Sequence, residues 1–263
     1  ERFGVFVVEN NIIKDLIEKP KDFVSDLANC GLYVLDKNIF NFEIMKSERG
    51  EYEVTEAILK LTKENEVAAI EIKEYWLSIG YAWHLLDANK ELLNNLKFQI
   101  DGEIEDGAVL KGNVVVGKGT IIKSGAYIEG PVVIGENCNI GPNCYIRPST
   151  SIGNNCKIGN AVEVKNCIIM DNTNVGHLSY IGDSVLSENS NMGAGTITAN
   201  LRHDNANVFT EIKDELLDSE RRKLGTIVAE NVHTGIHTSI YPGRKLYPGT
   251  MTLPGAIVKK DVK

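Results

Sequence analysis

The chain has 263 residues, 43% hydrophobic and 24% charged, a globular mix rather than a disordered or fibrous one. Its net charge of -8 argues against nucleic acid or an anionic membrane as the main partner. No apolar run reaches the roughly 18 residues that a spanning helix needs.

Residue 1 is Glu, and no secretory signal opens the sequence. The charge is unevenly spread: residues 1–100 carry 12 Lys and Arg against 18 Asp and Glu, and residues 101–263 carry 16 against 18. Glycine is more uneven still. Only Gly4, Gly31, Gly50 and Gly80 precede residue 100, and the other twenty follow it. This shift sets a domain boundary near Lys97–Asp101, giving domains at 1–98 and 101–263.

The first domain reads as incomplete α/β. Residues 3–8 and 12–17 predict a hairpin turned at Asn10 and Asn11. Strands are expected at 31–35 (buried) and 67–72. Helices are expected at 53–64 and at 81–96, where Leu85, Leu86, Ala88, Leu92 and Leu93 form an amphipathic pattern.

From Ile104 onward the sequence repeats every six residues. Ile104, Leu110, Val116, Ile122, Ile128, Ile134, Ile140, Ile146, Ile152, Ile158 and Val164 are all aliphatic. Turn formers follow three residues later, among them Gly107, Gly119, Gly125, Asn137, Asn143, Ser149 and Asn155. Small or β-branched residues come next. One short strand per hexad and a corner between hexads predict a three-sided solenoid, with coils stacked about 4.8 Å apart. The register slips by one near Ile169 and again at Leu186, then returns at Val228, Ile240, Leu246 and Val258. Between them, residues about 199–225 lack the pattern and predict an external loop with a short helix at 213–220. Cys138, Cys144 and Cys156 fall in the small-residue slot, so they read as core rather than metal ligands. Five cysteines without a secretory signal favour reduced thiols and a cytoplasmic location.

The second residue of each hexad is often glycine, but here Arg147 and Lys165 break the pattern. They are 18 residues apart, so they stack on adjacent coils. They read either as a clamp for a phosphate or as two solvated side chains balanced by Glu129 and Glu163; spacing leaves both open. His177 occupies an outward slot ahead of a corner, a place suited to a general base. Gly193-Ala194-Gly195-Thr196 bares a strip of backbone to a ligand.

Glu18-Lys19-Pro20, Ala28-Asn29-Cys30-Gly31-Leu32-Tyr33, Glu51-Tyr52-Glu53-Val54-Thr55-Glu56 and Trp76-Leu77-Ser78-Ile79-Gly80 resemble the sugar-phosphate nucleotidylyltransferases. The resemblance implies a sugar-binding remnant at Glu18, Lys19 and Asn29. The family's glycine-rich nucleotide loop is absent, so the N-terminal part of that domain is expected to be missing. Ser78 stands where an aspartate usually helps to hold Mg²⁺, which only the nucleotidylyltransferase half requires. On this reading residues 1–98 serve as a scaffold.

Arg147-Pro148, the 159–165 stretch, Gly176-His177-Leu178-Ser179-Tyr180-Ile181-Gly182-Asp183 and the 191–200 stretch resemble the bifunctional glucosamine-1-phosphate acetyltransferase/N-acetylglucosamine-1-phosphate uridylyltransferases of UDP-N-acetylglucosamine biosynthesis. Asn200-Leu201-Arg202 and the 221–225 segment resemble their archaeal branch. The resemblance implies a left-handed parallel β-helix of hexapeptide repeats, mainly β, after a partial α/β domain. It also implies a homotrimer with sites between subunits, taking acetyl-CoA and glucosamine- or galactosamine-1-phosphate. In that family's terms His177 is the base, and Asn200 places the amine or acetyl group. Arg147 and Lys165 hold the phosphate, Tyr180 and Asn191 contact the sugar, and the backbone at Ala194 and Gly195 holds acetyl-CoA. The family commonly has a lysine after the Asn200 segment, where Ala206 lies here.

Two other functions compete. The solenoid would only assemble or regulate the enzyme in a nucleotidylyltransferase of the ADP-glucose pyrophosphorylase type. A γ-class carbonic anhydrase would need three zinc histidines, and His177, His203, His233 and His237 show no spacing that recommends them.

Overall fold

A computed structural model describes residues 3–47 and 50–263. It contains two compact units, one ending at Ser78 and the other spanning Ile79–Lys263.

In the first unit Val5–Glu9 and Ile12–Ile17 pair antiparallel. Asn10 and Asn11 both take positive φ, as a tight hairpin turn requires. Helix α1, Val54–Glu64, packs its buried Ala57 and Ile58 inward, and Glu53 is its N-cap residue. The strands expected at 31–35 and 67–72 do not form. Residues 31–35 are exposed or half-buried coil, and the second stretch contributes one bridge, Ile12 to Ala68. Apolar sequence without a partner strand leaves the backbone no ladder to join.

The second unit is a solenoid with three parallel walls. Wall 1 runs from Glu103–Ile104 to Asn191–Met192 in six strands, and bridges at His233 and Met251 extend it. Wall 2 runs from Val109–Lys111 to Ile257–Val258, and wall 3 from Gln99–Ile100 to Arg244–Leu246, each in eight strands. The aliphatic column fills the prism: Val116, Ile122, Ile128, Ile140, Ile146, Ile158 and Val164 have no accessible surface. Corners turn through left-handed residues at Gly107, Gly119, Gly125, Asn137, Asn143, Ser149 and Asn155. Cys138, Cys144, Cys156 and Cys167 are buried and unpaired. Burial pushes the Cys144 and Cys167 thiols up to about 12, which makes them inert packing groups.

Pairing locates the register slip. Tyr145 pairs with Glu163, an offset of 18, but Ser151 pairs with Ile168, an offset of 17. The lost residue comes from the corner between walls 2 and 3. Arg147-Pro148-Ser149-Thr150 makes that corner in one coil, and Lys165-Asn166-Cys167 makes it in the next. The following coil keeps the short form as Gly182-Asp183-Ser184.

Two expectations change here. Residues 213–220 are not helical. Phe209–Ile212 and Glu215–Asp218 form an antiparallel hairpin turned at Lys213 and Asp214, both at positive φ. Helix α2, His84–Asn94, is shorter than the 81–96 expected, and it belongs to the solenoid unit. Trp83 and Leu86 pack with Val185, Val208 and Leu224 over the outward apolar residues Ile168 and Ile227 of wall 3. Asn89 donates to Ser149 O at 3.0 Å and accepts from Ser151 Oγ at 2.5 Å. The first solenoid strand is Gln99–Ile100, whereas the compact unit begins earlier, at Ile79, and includes α2 as the cover of wall 3.

Candidate active site

Wall 2 carries the cation column. Lys111, Glu129, Arg147 and Lys165 succeed one another on adjacent strands, so Arg147 and Lys165 do stand in line. Neither cation is unpaired. Arg147 Nη1 lies 2.9 Å from Glu163 Oε1, which holds the guanidinium pKa above its ordinary value, and Lys165 Nζ lies 3.1 Å from Asp183 Oδ2. Glu129 is engaged by the Tyr145 hydroxyl. Tyr145 also lies under the Arg147 guanidinium, 5.6 Å from ring to carbon.

Tyr180 and Asn200 join this cluster. Asn200 Nδ2 donates to Tyr180 Oη at 3.0 Å and to Asp183 Oδ2 at 2.5 Å. Burial first, and then the Asp183 charge, raise the Tyr180 pKa, so its phenol stays protonated near neutrality. Asp183 was not singled out from the sequence, although it lies in the Gly176–Asp183 segment. The signal available was the five-residue step from Val164 to Ile169, which marks a tight corner.

Wall 1 carries the second group. His177 ends the strand Asn174–His177, pairs with Asn160, and is exposed. A groove beside it is floored by Gly176 and Gly193 and edged by Asn191, Ala194 and Ile236. A Cβ on Gly193 would meet the backbone of Thr234 and Gly235 at 2.5–2.7 Å, so glycine is required there by close stacking. Gly195 turns the corner at φ +73, with His237 packed against it. Within one chain, therefore, the named residues fall on two walls. His177, Asn191, Ala194 and Gly195 border wall 1, and Arg147, Lys165, Tyr180 and Asn200 belong to wall 2.

In the first unit Asn29 N donates to Gly4 O at 2.8 Å, and its side chain engages the Tyr33 hydroxyl. A Cβ on Gly4 would lie 2.7 Å from Glu18 Oε2. Glu18 and Asn29 thus converge on Gly4, while the neighbouring Lys19 is exposed at φ +45. Among the described residues, no three His, Cys, Asp or Glu side chains gather at metal-holding range, and no helix is long and apolar enough to cross a membrane.

Two family models match the chain: Nucleotidyl transferase over residues 1–95 and GMPPB C-terminal domain over residues 128–242. The Bifunctional protein GlmU of Methanococcus aeolicus is 45% identical over 264 residues, covering 99% of this chain and 64% of that one. The Bifunctional sugar-1-phosphate nucleotidylyltransferase/acetyltransferase of Sulfurisphaera tokodaii is 45% identical, over 99% of this chain and 66% of its own length. The GlmU protein of Methanocaldococcus jannaschii is also 45% identical, over 100% of this chain and 65% of its own. The chain spans just under two thirds of the length of these relatives.

Proposed function

The chain is a homologue, along its whole length, of archaeal bifunctional sugar-1-phosphate nucleotidylyltransferase/acetyltransferases, and from that premise we propose that its solenoid transfers an acetyl group from acetyl-CoA to the amine of glucosamine- or galactosamine-1-phosphate. The site forms between copies of the chain, wall 1 of one facing wall 2 of its neighbour in a homotrimer.

One observation carries this reading. Wall 3 is covered by α2 and by the Val208–Leu224 packing, whereas wall 1 carries the groove and on wall 2 the Arg147 side chain is 37% exposed and that of Lys165 21%. Walls 1 and 2 each hold half of the chemistry. A cyclic arrangement brings one face of each subunit against a different face of the next, which is how unlike half-sites meet.

The reaction needs a base, because an ammonium ion has no lone pair to attack with. His177 takes one proton from the 2-ammonium group. The imidazolium passes that proton to water, and the amine nitrogen bonds to the thioester carbonyl carbon. The now cationic nitrogen gives a second proton to His177. The C–S bond breaks, and the departing thiolate takes that second proton from the imidazolium. The products are an amide and coenzyme A. Arg147 and Lys165 receive the sugar phosphate, exchanging part of their contact with Glu163 and Asp183 for phosphate oxygens. Tyr180 and Asn191 contact the sugar. Ala194 edges the groove that would take the pantetheine end of acetyl-CoA, with Gly195 at its corner. Gly195 N–H already donates to His177 O at 3.1 Å, and Ala194 O already accepts from His237 N–H at 2.7 Å, so these two residues line the site by shape and not by free backbone groups.

Residues 3–78 serve as scaffold in this chain, with Glu18, Lys19 and Asn29 as a sugar-binding remnant. Ser78 offers a neutral hydroxyl where Mg²⁺ would want a carboxylate, so no nucleotidyl-transfer step is assigned. The buried thiols suit a reducing compartment such as the cytoplasm.

The test is thiol release from acetyl-CoA in the presence of a panel of hexosamine 1-phosphates. Release with the 2-amino sugars, and none with the 2-hydroxy sugars, supports the reading. No release with any amino sugar rejects it.

A further inference from the structure

Asp183 is more than the counter-charge of Lys165: it is the hub of wall 2. Only 3% of its surface is exposed. Its carboxylate accepts from Lys165 Nζ at 3.1 Å, Asn166 Nδ2 at 2.7 Å and Asn200 Nδ2 at 2.5 Å. Its backbone turns the corner at φ +49, where the two preceding coils use Ser149 and Asn166, also at positive φ. Asparagine would serve that turn equally well, so the turn does not call for a carboxylate. A buried carboxylate is costly unless donors fill its lone pairs, and here three do.

An ionised carboxylate only accepts, so it decides which way round the Asn200 amide lies. Nδ2 must face Asp183, and the same NH₂ group reaches the Tyr180 hydroxyl at 3.0 Å. Both amide protons are committed. The atom Asn200 has left for a ligand is its carbonyl Oδ1.

We propose that Asp183 is a positioning residue that locks Asn200 as an acceptor, so that Asn200 takes an N–H of the attacking amine and does not donate to the thioester carbonyl. This rests on the acetyl-transfer reading. When His177 removes one proton from the ammonium, two N–H bonds remain. Holding one of them on Oδ1 aims the lone pair at the acetyl carbon. The amine gains positive charge as it attacks, so an acceptor there binds the transition state more tightly than the ground state. The same carboxylate fixes the Lys165 ammonium, which ties amine orientation to phosphate binding.

The test compares wild type, Asp183→Asn, Asn200→Ala and the double variant in steady-state acetyl transfer and thermal melting. Asp183→Asn preserves shape and the left-handed turn, and its amide no longer dictates the Asn200 orientation. We expect a fall in kcat of tenfold or more, with the KM for acetyl-CoA within twofold of wild type. In the Asn200→Ala background the same substitution lowers kcat by less than a further twofold. If Asp183→Asn does not fold, Asp183→Glu is read in its place, since it keeps the charge but displaces the acceptor; the same kcat loss is expected. A kcat within twofold of wild type in the variant read, or losses that multiply in the double variant, overturns the proposal alone. A wild type that transfers no acetyl group removes the underlying reading, and this proposal with it.

Discussion

Arg147 and Glu163 meet across adjacent coils of wall 2, with Nη1 and Oε1 2.9 Å apart and both side chains 37% exposed. A pair this open contributes well under about 1 kcal/mol to stability, because water and salt screen it. On the proposed function, its part is to hold the guanidinium in place for the sugar phosphate. Arg147→Ala should therefore leave the melting temperature nearly unchanged. It should raise the KM for the sugar phosphate by about 10- to 100-fold, the cost of one or two charge-assisted hydrogen bonds. Parallel thermal melts and kinetics check this; an unchanged KM would return Arg147 to the role of a solvated surface cation.

His177 is exposed at a strand end. Removing it should cost chemistry and not fold. His177→Ala is expected to lower kcat by about 10²- to 10⁴-fold, the usual worth of a positioned base, with an unaltered circular dichroism spectrum. Turnover equal to wild type would eliminate the proton-transfer step assigned to it.

Leu178 combines two unfavourable features. It is 61% exposed, and it sits at φ +52, where a branched aliphatic residue is strained. In the proposed trimer a neighbouring copy would cover this apolar side chain. Leu178→Asn, which suits the turn but not an apolar contact, should preserve the solenoid and raise the concentration at which the assembly dissociates. Sedimentation over a dilution series measures this. Unchanged dissociation would place Leu178 outside any interface.

The buried thiols make stability depend on alkaline pH. Cys144 and Cys167 are raised by burial from 9.0 to about 12. Between pH 9 and 12 the unfolded chain loses these protons and the folded chain keeps them, so stability falls as pH rises; below pH 9 the contribution is complete. Each thiol costs about 1.4 kcal/mol per pH unit in that window. Urea melts at pH 8 and pH 10.5 should show the drop, and Cys167→Ala should make it shallower. Equal slopes in the two proteins would contradict the assignment.

The strict repeat makes much of the solenoid legible in the sequence. Ile146 and Val164 had to point inward because every sixth residue does, and that fixed Arg147 and Lys165 in one column. The same slot logic made Cys138, Cys144 and Cys156 core. The features that the sequence does not reveal lie where the repeat is broken. The shortened corner after Lys165 moves Asp183 under the Lys165 ammonium, a contact between residues 18 apart that a uniform 18-residue coil would present as a simple stack. The short helix expected at 213–220 is instead the turn and second strand of a hairpin whose first strand is Phe209–Ile212. Alternation along that first strand, with Thr210 buried between Phe209 and Glu211, and a two-residue turn at Lys213 and Asp214 make the hairpin. Helix α2 was expected from its leucines. That they cover wall 3 depends on outward Ile168 and Ile227, which the hexad pattern leaves unconstrained.

The most direct test of the site between copies is subunit complementation. His177→Ala and Lys165→Ala chains are each expected to be nearly inactive. Unfolded, mixed in equal amounts and refolded together, they create interfaces that join an intact His177 on one copy to an intact Lys165 on the next. Random assembly in a ring gives such interfaces about a quarter of the time, so about a quarter of wild-type activity should return. A mixture as inactive as its parents would mean that wall 1 and wall 2 do not meet across a subunit boundary.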